Sequence, residues 1–457
     1  MKTLSRILCS VLCLLLLCGL LPAAGEQPVY VALGDSIADG YRLTGYSGPG
    51  SAPAESFPVL LAEDLEAQLM SLAVSGMDTD GLLRALDTWA YQAAVGKARY
   101  ISLTIGSNDL LLPAIQQLTA LANAAAEGDI RSLLNSLVSV GDALTNQEAQ
   151  ALYARRTAHF KENWEKIIAR LRELNPTAVI LVTDFYNPYS MLEYSLGPLS
   201  LHVGSVAQTY LDEMNAWLAE SPSAGEYRVA DIRDVSINVC FSTRSLAGLD
   251  LDPHPSAEGH AQIYKALRAL VREAEAERRY TDLPAEKWAR DAIGAVSALG
   301  LMQGVGEGRF DPEGQLTVAQ VLALAARVHS LSHTGEADFD ESYGSRWYDV
   351  YRRYCIDQGL ITARTFRDLT APATRAQTAL VLAHALEEAD LPVIRRQERI
   401  PDVAVGDYAG SEIYLLYKAG VLNGVDERGS FAPERTLRRS EAAAILARLM
   451  EPELRIA

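Results

Sequence analysis

The chain has 457 residues, 49% hydrophobic and 22% charged, a globular composition with room for about two to four domains. Its formal charge of −17 argues against nucleic acid as a partner, because an acidic surface repels a polyanion. Of its five cysteines, Cys9, Cys13 and Cys18 share one N-terminal apolar run, while Cys240 and Cys355 stand far apart. Neither a disulfide framework nor a Cys/His metal site at ligand spacing is expected.

Lys2 and Arg6 precede an uncharged run over 7–21, and Ala23, Ala24 and Gly25 follow it. This is the layout of a secretory signal peptide over 1–25. The run is shorter than the roughly 20 residues of a membrane span, so no stable span is expected once the signal is removed. From 26 to 279, strand-length apolar runs (29–33, 72–74, 100–104, 178–183, 227–230) alternate with segments of helical period (57–69, 82–91, 160–174, 206–218). The alternation predicts a parallel sheet covered by helices on both faces, a three-layer α/β/α domain. Residues 110–153, rich in Leu, Ala and Gln, break the rhythm. They read as a helical insertion, either a packing pair or a lid. Ile263, Leu267, Leu270, Val271 and Ala274 fall on one stripe, so 256–278 is expected to end the domain as a helix with a short, stiff connection beyond it.

Past 279 the sequence repeats. Trp288, Trp347 and Tyr408 precede Gly300, Gly359 and Gly420 by the same twelve positions, and Phe310, Phe366 and Phe431 follow. Three units, 280–336, 337–395 and 396–457, each reading helix, glycine turn, loop, helix, are expected to bury a shared core.

Gly34-Asp35-Ser36 follows the first apolar run, so the Ser36 hydroxyl can stand at the carboxyl edge of the sheet, where such folds bind ligands. Alone, the pattern equally fits a helix cap. Gly76 follows the second run, Gly106-Ser107-Asn108-Asp109 the third, and Asp250-Leu251-Asp252-Pro253-His254 precedes the last helix. A hydroxyl, a base, an acid to orient the base and oxyanion donors are the parts that acyl transfer by serine requires. His159, His202, His260, His329, His333 and His384 lack such company and read as surface or packing residues. With Ala38 two positions after Ser36, the Gly-x-Ser-x-Gly elbow of the α/β-hydrolases is missing.

Taken together, these blocks resemble the SGNH (GDSL-type) hydrolases, esterases and acylhydrolases on a flavodoxin-like sheet. The resemblance covers about residues 28–275. It implies Ser36 as nucleophile, Gly76 and Asn108 as oxyanion donors, His254 as base, and no metal or organic cofactor. Ile37 stands where leucine is usual, and Leu251 stands three residues before the histidine, where the family keeps its acid. Asp252 is expected to orient His254, because the rigid Pro253 leaves a short loop in which the carboxylate can turn back toward Nδ1; Asp250 would need Leu251 to bulge. The three repeats resemble S-layer homology domains, with tetrads Thr317-Val318-Ala319-Gln320, Thr374-Arg375-Ala376-Gln377 and Arg438-Arg439-Ser440-Glu441. That resemblance implies attachment to anionic cell-wall polysaccharide through Arg375 and Arg439, with Val318 breaking the pattern. The expected whole is a secreted esterase, attached to the bacterial cell wall, that cleaves carboxylic esters of O-acetylated polysaccharide or of lipid. Its rival is a non-catalytic surface scaffold or binding protein.

Overall fold

A computed structural model of the chain describes residues 27–110, 147–190, 193–196, 199–237, 252–396 and 399–457. The expected signal peptide, residues 111–146 of the expected insertion, Cys240 and Asp250 lie outside them. The chain divides into two compact units, Met1–Leu270 and Val271–Ala457.

In chain order the first unit contains β1 (Val29–Gly34), α1 (Ser36–Asp39), α2 (Phe57–Asp64), β2 (Gln68–Ser71), α3 (Thr79–Leu86), α4 (Trp89–Val95), β3 (Ala98–Thr104) and α5 (Ser107–Leu110). There follow α6 (Gln147–Leu174), β4 (Val179–Thr183), β5 (Glu193–Leu196), β6 (Leu199–His202), α7 (Val203–Glu220), β7 (Arg228–Ala230) and α8 (Ala257–Arg279), which runs across the division between the units. Five strands pair in parallel in the order β2-β1-β3-β4-β7, the flavodoxin-like arrangement. Loops leaving β1 and β3 diverge at the reversal of strand order and open a crevice at their carboxyl ends. The core joins Val31, Leu33, Ile101, Leu103, Ile180 and Val182 of the sheet to Phe160, Trp164, Ile167 and Leu171 of α6, whose spacing keeps them on one helical face.

Glycine permits the tight meeting of β1 with β3. Gly34 has φ +131° and a Cβ there would lie 1.9 Å from the Thr104 carbonyl oxygen; at Gly106 (φ +115°) it would lie 2.5 Å from the Phe160 ring. Only a residue without a side chain fits either place.

Three details depart from the sequence expectation. β2 ends at Ser71, ahead of the expected 72–74, yet the Leu72 and Val74 N–H groups still donate to Ala32 O and Gly34 O (2.9 and 3.0 Å). Pairing thus persists far enough to bring Gly76 to the edge that carries Ser36. The helix expected over 82–91 is two helices, α3 and α4, with α3 started by Asp78, whose carboxylate accepts from the Gly81 N–H (2.8 Å). β5 and β6 form an unforeseen antiparallel pair of four residues each, too short for alternation to distinguish strand from loop. No described helix is long and apolar enough to cross a membrane.

In the second unit each repeat contributes two helices, α9 (Lys287–Ala298) and α10 (Val318–Thr334), α11 (Asp349–Asp357) and α12 (Arg375–Leu382), α13 (Gly410–Lys418) and α14 (Arg439–Met450), and the second helix of each packs on the first of another: α10 on α11, α12 on α13 and α14 on α9. Backbone bonds join the repeats in a ring: Ala373 N–H to Leu316 O (2.8 Å), Leu437 N–H to Ala373 O (3.2 Å), and Leu316 N–H to Leu437 O (3.3 Å). Phe310, Leu322, Leu382, Phe431 and Leu446 meet in the common core. Two tetrads are helix starts with full capping boxes, Thr317 with Gln320 and Thr374 with Gln377, each satisfying end amides that the helix leaves open. Cys355 is buried and free.

Candidate active site

Ser36 opens α1, a single turn whose start is fixed by Asp35: the carboxylate accepts from the Ile37 N–H (3.0 Å), and Gly40 ends the turn in the left-handed region. The Ser36 Oγ lies 2.9 Å from His254 Nε2. On the other side of the ring, Nδ1 lies 2.5 Å from Asp252 Oδ1, which also accepts from the His254 backbone N–H (3.3 Å). Arg42 Nη1 stands 3.4 Å from Asp252 Oδ2. Burial drives the Asp252 carboxyl upward, but its bond to His254 and the His254 and Arg42 charges outweigh this and hold it below the ordinary carboxylate range. An ionised Asp252 accepts from Nδ1–H and leaves the Nε2 lone pair facing the serine. Tyr186, just past β4, donates its hydroxyl to Pro253 O (2.6 Å), and the Tyr41 ring sits 4.8 Å from the imidazole. Both pin the loop that carries His254.

Across the crevice, Met77 N–H donates to Val74 O (3.0 Å) and Gly76 has φ +83°, which makes residues 74–77 a type II turn with glycine at its third position. Among the described residues no group accepts the Gly76 N–H. The Asn108 amide donates to Met77 O (2.8 Å), which leaves its second hydrogen for another acceptor. Ser36, Gly76, Asn108 and His254 all line one cavity of about 390 Å³, walled by Ile37, Ile105, Phe185 and Tyr186, with Thr104 and Asp184 adding polar surface. The sequence-selected residues of this unit therefore meet at one place.

Other site groups escaped the sequence reading. Asp39 is buried and accepts four bonds: Ser75 N–H (3.1 Å), Ser75 Oγ (2.6 Å), Tyr46 hydroxyl (2.8 Å) and Gly50 N–H (3.2 Å). Its only signal was its place three residues after Ser36. Burial pushes the Asp35 carboxyl up to about 7, and that of Asp184 to about 6. Asp184 accepts from the Ile232 N–H (2.7 Å). His260 is a packing residue: fully buried, stacked on Phe57, its Nδ1 accepts from the Phe57 N–H (3.3 Å), and desolvation pushes its pKa down to about 4.

In the second unit, Arg375 and Arg439 are buried rather than displayed. Arg375 donates from Nε to Phe431 O (2.7 Å) and from Nη2 to Asn423 O (3.0 Å), with its guanidinium 4.5 Å from the Phe431 ring centre. Arg439 repeats this on Phe310 O (2.8 Å), Gln303 O (2.7 Å) and the Phe310 ring (4.9 Å). Desolvation lowers both, Arg375 to about 10, so it stays charged at neutral pH. Arg375 also edges a second cavity, with Trp288, Arg435, Arg438, Glu441 and Arg448.

The GDSL-like Lipase/Acylhydrolase family model matches residues 32–262, and the S-layer homology domain model matches 279–322 and 399–443. The spore germination lipase LipC of Bacillus licheniformis is 24% identical over 247 residues, 52% of this chain and 94% of that protein. A cell surface protein of Thermoanaerobacter kivui is 29% identical over 153 residues, 34% of this chain and 18% of that one. The chain thus spans less than a quarter of the length of the surface and S-layer proteins it matches. The crystal structure of a phospholipase A1 from Streptomyces albidoflavus aligns with a TM-score of 0.37 at 17% identity, covering 53% of this chain and 99% of that one. The chain belongs to the GDSL-like lipase/acylhydrolase family, and its second unit carries two stretches that match S-layer homology domains.

Proposed function

We propose that the first unit cleaves carboxylic esters through a covalent acyl intermediate on Ser36. The Ser36 Oγ attacks the ester carbonyl as its proton passes to His254 Nε2, and the Asp252 carboxylate stabilises the imidazolium that forms. The Gly76 N–H and the Asn108 amide receive the oxyanion. Collapse expels the alcohol with the proton from Nε2, and a water activated by the same imidazole releases the acid. What carries this reading is the unbroken chain from Asp252 through His254 to Ser36, bordering a cavity that Gly76 and Asn108 also line. Ser36→Ala is expected to abolish ester hydrolysis and labelling by an active-serine phosphonate while the circular dichroism stays unchanged. A labelled or active variant would refute the mechanism, and a native protein that takes no label would favour the scaffold.

The substrate we favour is an O-acetylated polysaccharide of the wall, because the S-layer homology unit holds the enzyme beside that polymer. A second reading, lipid or lysophospholipid esters, draws on the apolar walls of the cavity at Ile37, Ile105 and Phe185. The dependence of kcat/KM on acyl length separates them: a steep fall beyond acetyl supports the first, a rise the second. Attachment is assigned to anionic wall polysaccharide at Arg375 and Arg439. The support is the cluster of Arg375, Arg435, Arg438 and Arg448 around one cavity beside the half-exposed Trp288.

A further inference from the structure

Asp39 lies outside the triad and the oxyanion donors, yet its buried carboxylate receives four bonds. Two come from Ser75, which directly precedes Gly76. That position matters because of the turn. In the 74–77 turn the one soft coordinate is the central peptide, Ser75–Gly76: rotating it by about half a turn converts type II into type I and reverses the direction of the Gly76 N–H. Gly76 itself offers no resistance, since glycine accepts either sign of φ and nothing lies within 4 Å of where its Cβ would stand. The restraint must come from the neighbours. Met77 is held from one side by the Asn108 amide on its carbonyl (2.8 Å) and by its own N–H on Val74 O (3.0 Å). Ser75 is held from the other by Asp39, at both N–H and Oγ. The Tyr46 hydroxyl, 2.8 Å from Asp39 and 2.9 Å from Ser75 Oγ, closes the cluster. Asp39 is also the last residue of the turn that Ser36 begins, so one carboxylate ties the nucleophile's helix to the residue that precedes Gly76.

We propose that Asp39 is a positioning residue that sets the direction of the Gly76 N–H by clamping Ser75, and so holds that oxyanion donor in register with Ser36. This rests on the roles proposed above for Ser36 and Gly76. A donor whose removal costs about 10² to 10³ in kcat loses part of that when its peptide is free to turn. An asparagine at position 39 can keep an oxygen toward Ser75 and Tyr46 only by setting its NH₂ against the Gly50 N–H, and it lacks the charge, so it weakens the clamp at nearly constant volume.

The test uses the full chain and a short-chain nitrophenyl ester, with Asp39→Asn, Ser75→Ala, their double variant and Ser36→Ala. In Asp39→Asn we expect kcat to fall about ten- to a hundredfold with KM within threefold. Affinity for a boronic acid that forms a tetrahedral adduct on the serine should fall by the same factor. Ser75→Ala should show the same split with a smaller loss, and the double variant should lose no more than Asp39→Asn alone, because both act through one clamp. A folded Asp39→Asn with parental kcat, or a loss confined to KM, overturns the proposal. If Asp39→Asn does not fold, Ser75→Ala with kcat and boronic acid affinity within twofold of the parent overturns it as well. Turnover surviving in Ser36→Ala refutes the serine reading and this inference with it. An inactive Ser36→Ala beside a fully active Asp39→Asn refutes only the inference.

Discussion

Asp252→Asn tests the most distinctive feature of the site, an acid two residues before its histidine. The substitution keeps the volume and removes the charge. In the native site one carboxylate oxygen serves both the Nδ1–H and the backbone N–H of His254, and Arg42 faces the other. An asparagine there can turn its NH₂ toward Nδ1. That favours the tautomer with the proton on Nε2, which cannot accept from Ser36. It also removes the charge that balances the imidazolium. The equivalent loss in another serine triad is about 10⁴ in kcat, or about 5 kcal/mol of transition-state stabilisation. The assay is steady-state hydrolysis of a nitrophenyl ester, with circular dichroism to confirm the fold. We expect kcat to fall by about 10³ to 10⁴ with KM little changed. A kcat within tenfold of the parent refutes the assignment, as does a large loss in Asp250→Asn that Asp252→Asn does not share.

Further outcomes follow from the same geometry. Asn108→Ala should lower kcat by about 10² to 10³ with KM nearly constant, read by the same assay; an unchanged kcat would confine Asn108 to holding the Met77 carbonyl. His260 is buried with its pKa lowered from 6.5 to about 4, so the unfolded chain takes up the proton first. Its contribution to stability is present above pH 6.5 and is lost as pH falls toward 4, by at most about 3 kcal/mol. Urea unfolding at pH 7 and 4.5 should show that loss in the parent and not in His260→Gln; equal pH dependence in both would refute it. Arg375→Ala with Arg439→Ala should weaken co-sedimentation with purified cell walls. Because each arginine also satisfies two carbonyls, unfolding should come about 1 to 3 kcal/mol earlier per site. Wall binding must therefore be read far below the melting temperature, and undiminished binding there refutes the attachment site.

How much of this was legible in the sequence depends on the range of the interaction. β1, β3 and β4 announced themselves as apolar runs because burial on both faces leaves no room for polar alternation, and Ser36 stood out because a turn must follow β1. Asp252 was legible because Pro253 leaves its partner within two residues. Asp39 was not: its partner Ser75 lies 36 positions away, and nothing local distinguishes a clamping carboxylate from an acidic residue at a helix end. The same holds for Tyr186, which reaches Pro253 across 67 positions. Arg375 and Arg439 were singled out by resemblance as contacts to the wall polymer, and a tetrad pattern carries no sign of burial. They are buried because a planar guanidinium can meet two backbone carbonyls and lie over a ring at once, as an ammonium cannot.

That clasp also explains why the three repeats are unequal. In the first and third, a carboxylate takes two successive N–H groups at the phenylalanine: Asp282 those of Phe310 and Asp311, Asp402 those of Phe431 and Ala432. Asp311 and Ala432 both sit at positive φ, +59° and +57°, a conformation that costs a non-glycine residue on the order of 1 kcal/mol. The arginine of another repeat then closes over each phenylalanine, Arg439 on Phe310 and Arg375 on Phe431. In the middle repeat Phe366 is only half-buried, the helix start facing its loop offers Val318, and the loop runs one residue longer before its tetrad. Backbone closure survives there regardless, through the Val318 and Ala319 N–H groups on Ala371 O and Leu369 O (3.0 and 2.8 Å). The ring therefore does not need an arginine in order to close. What Arg375 and Arg439 add is a buried, fixed cation at two of the three junctions. The two stretches matched as S-layer homology domains, 279–322 and 399–443, are those in which carboxylate, strained loop and phenylalanine are assembled to receive it.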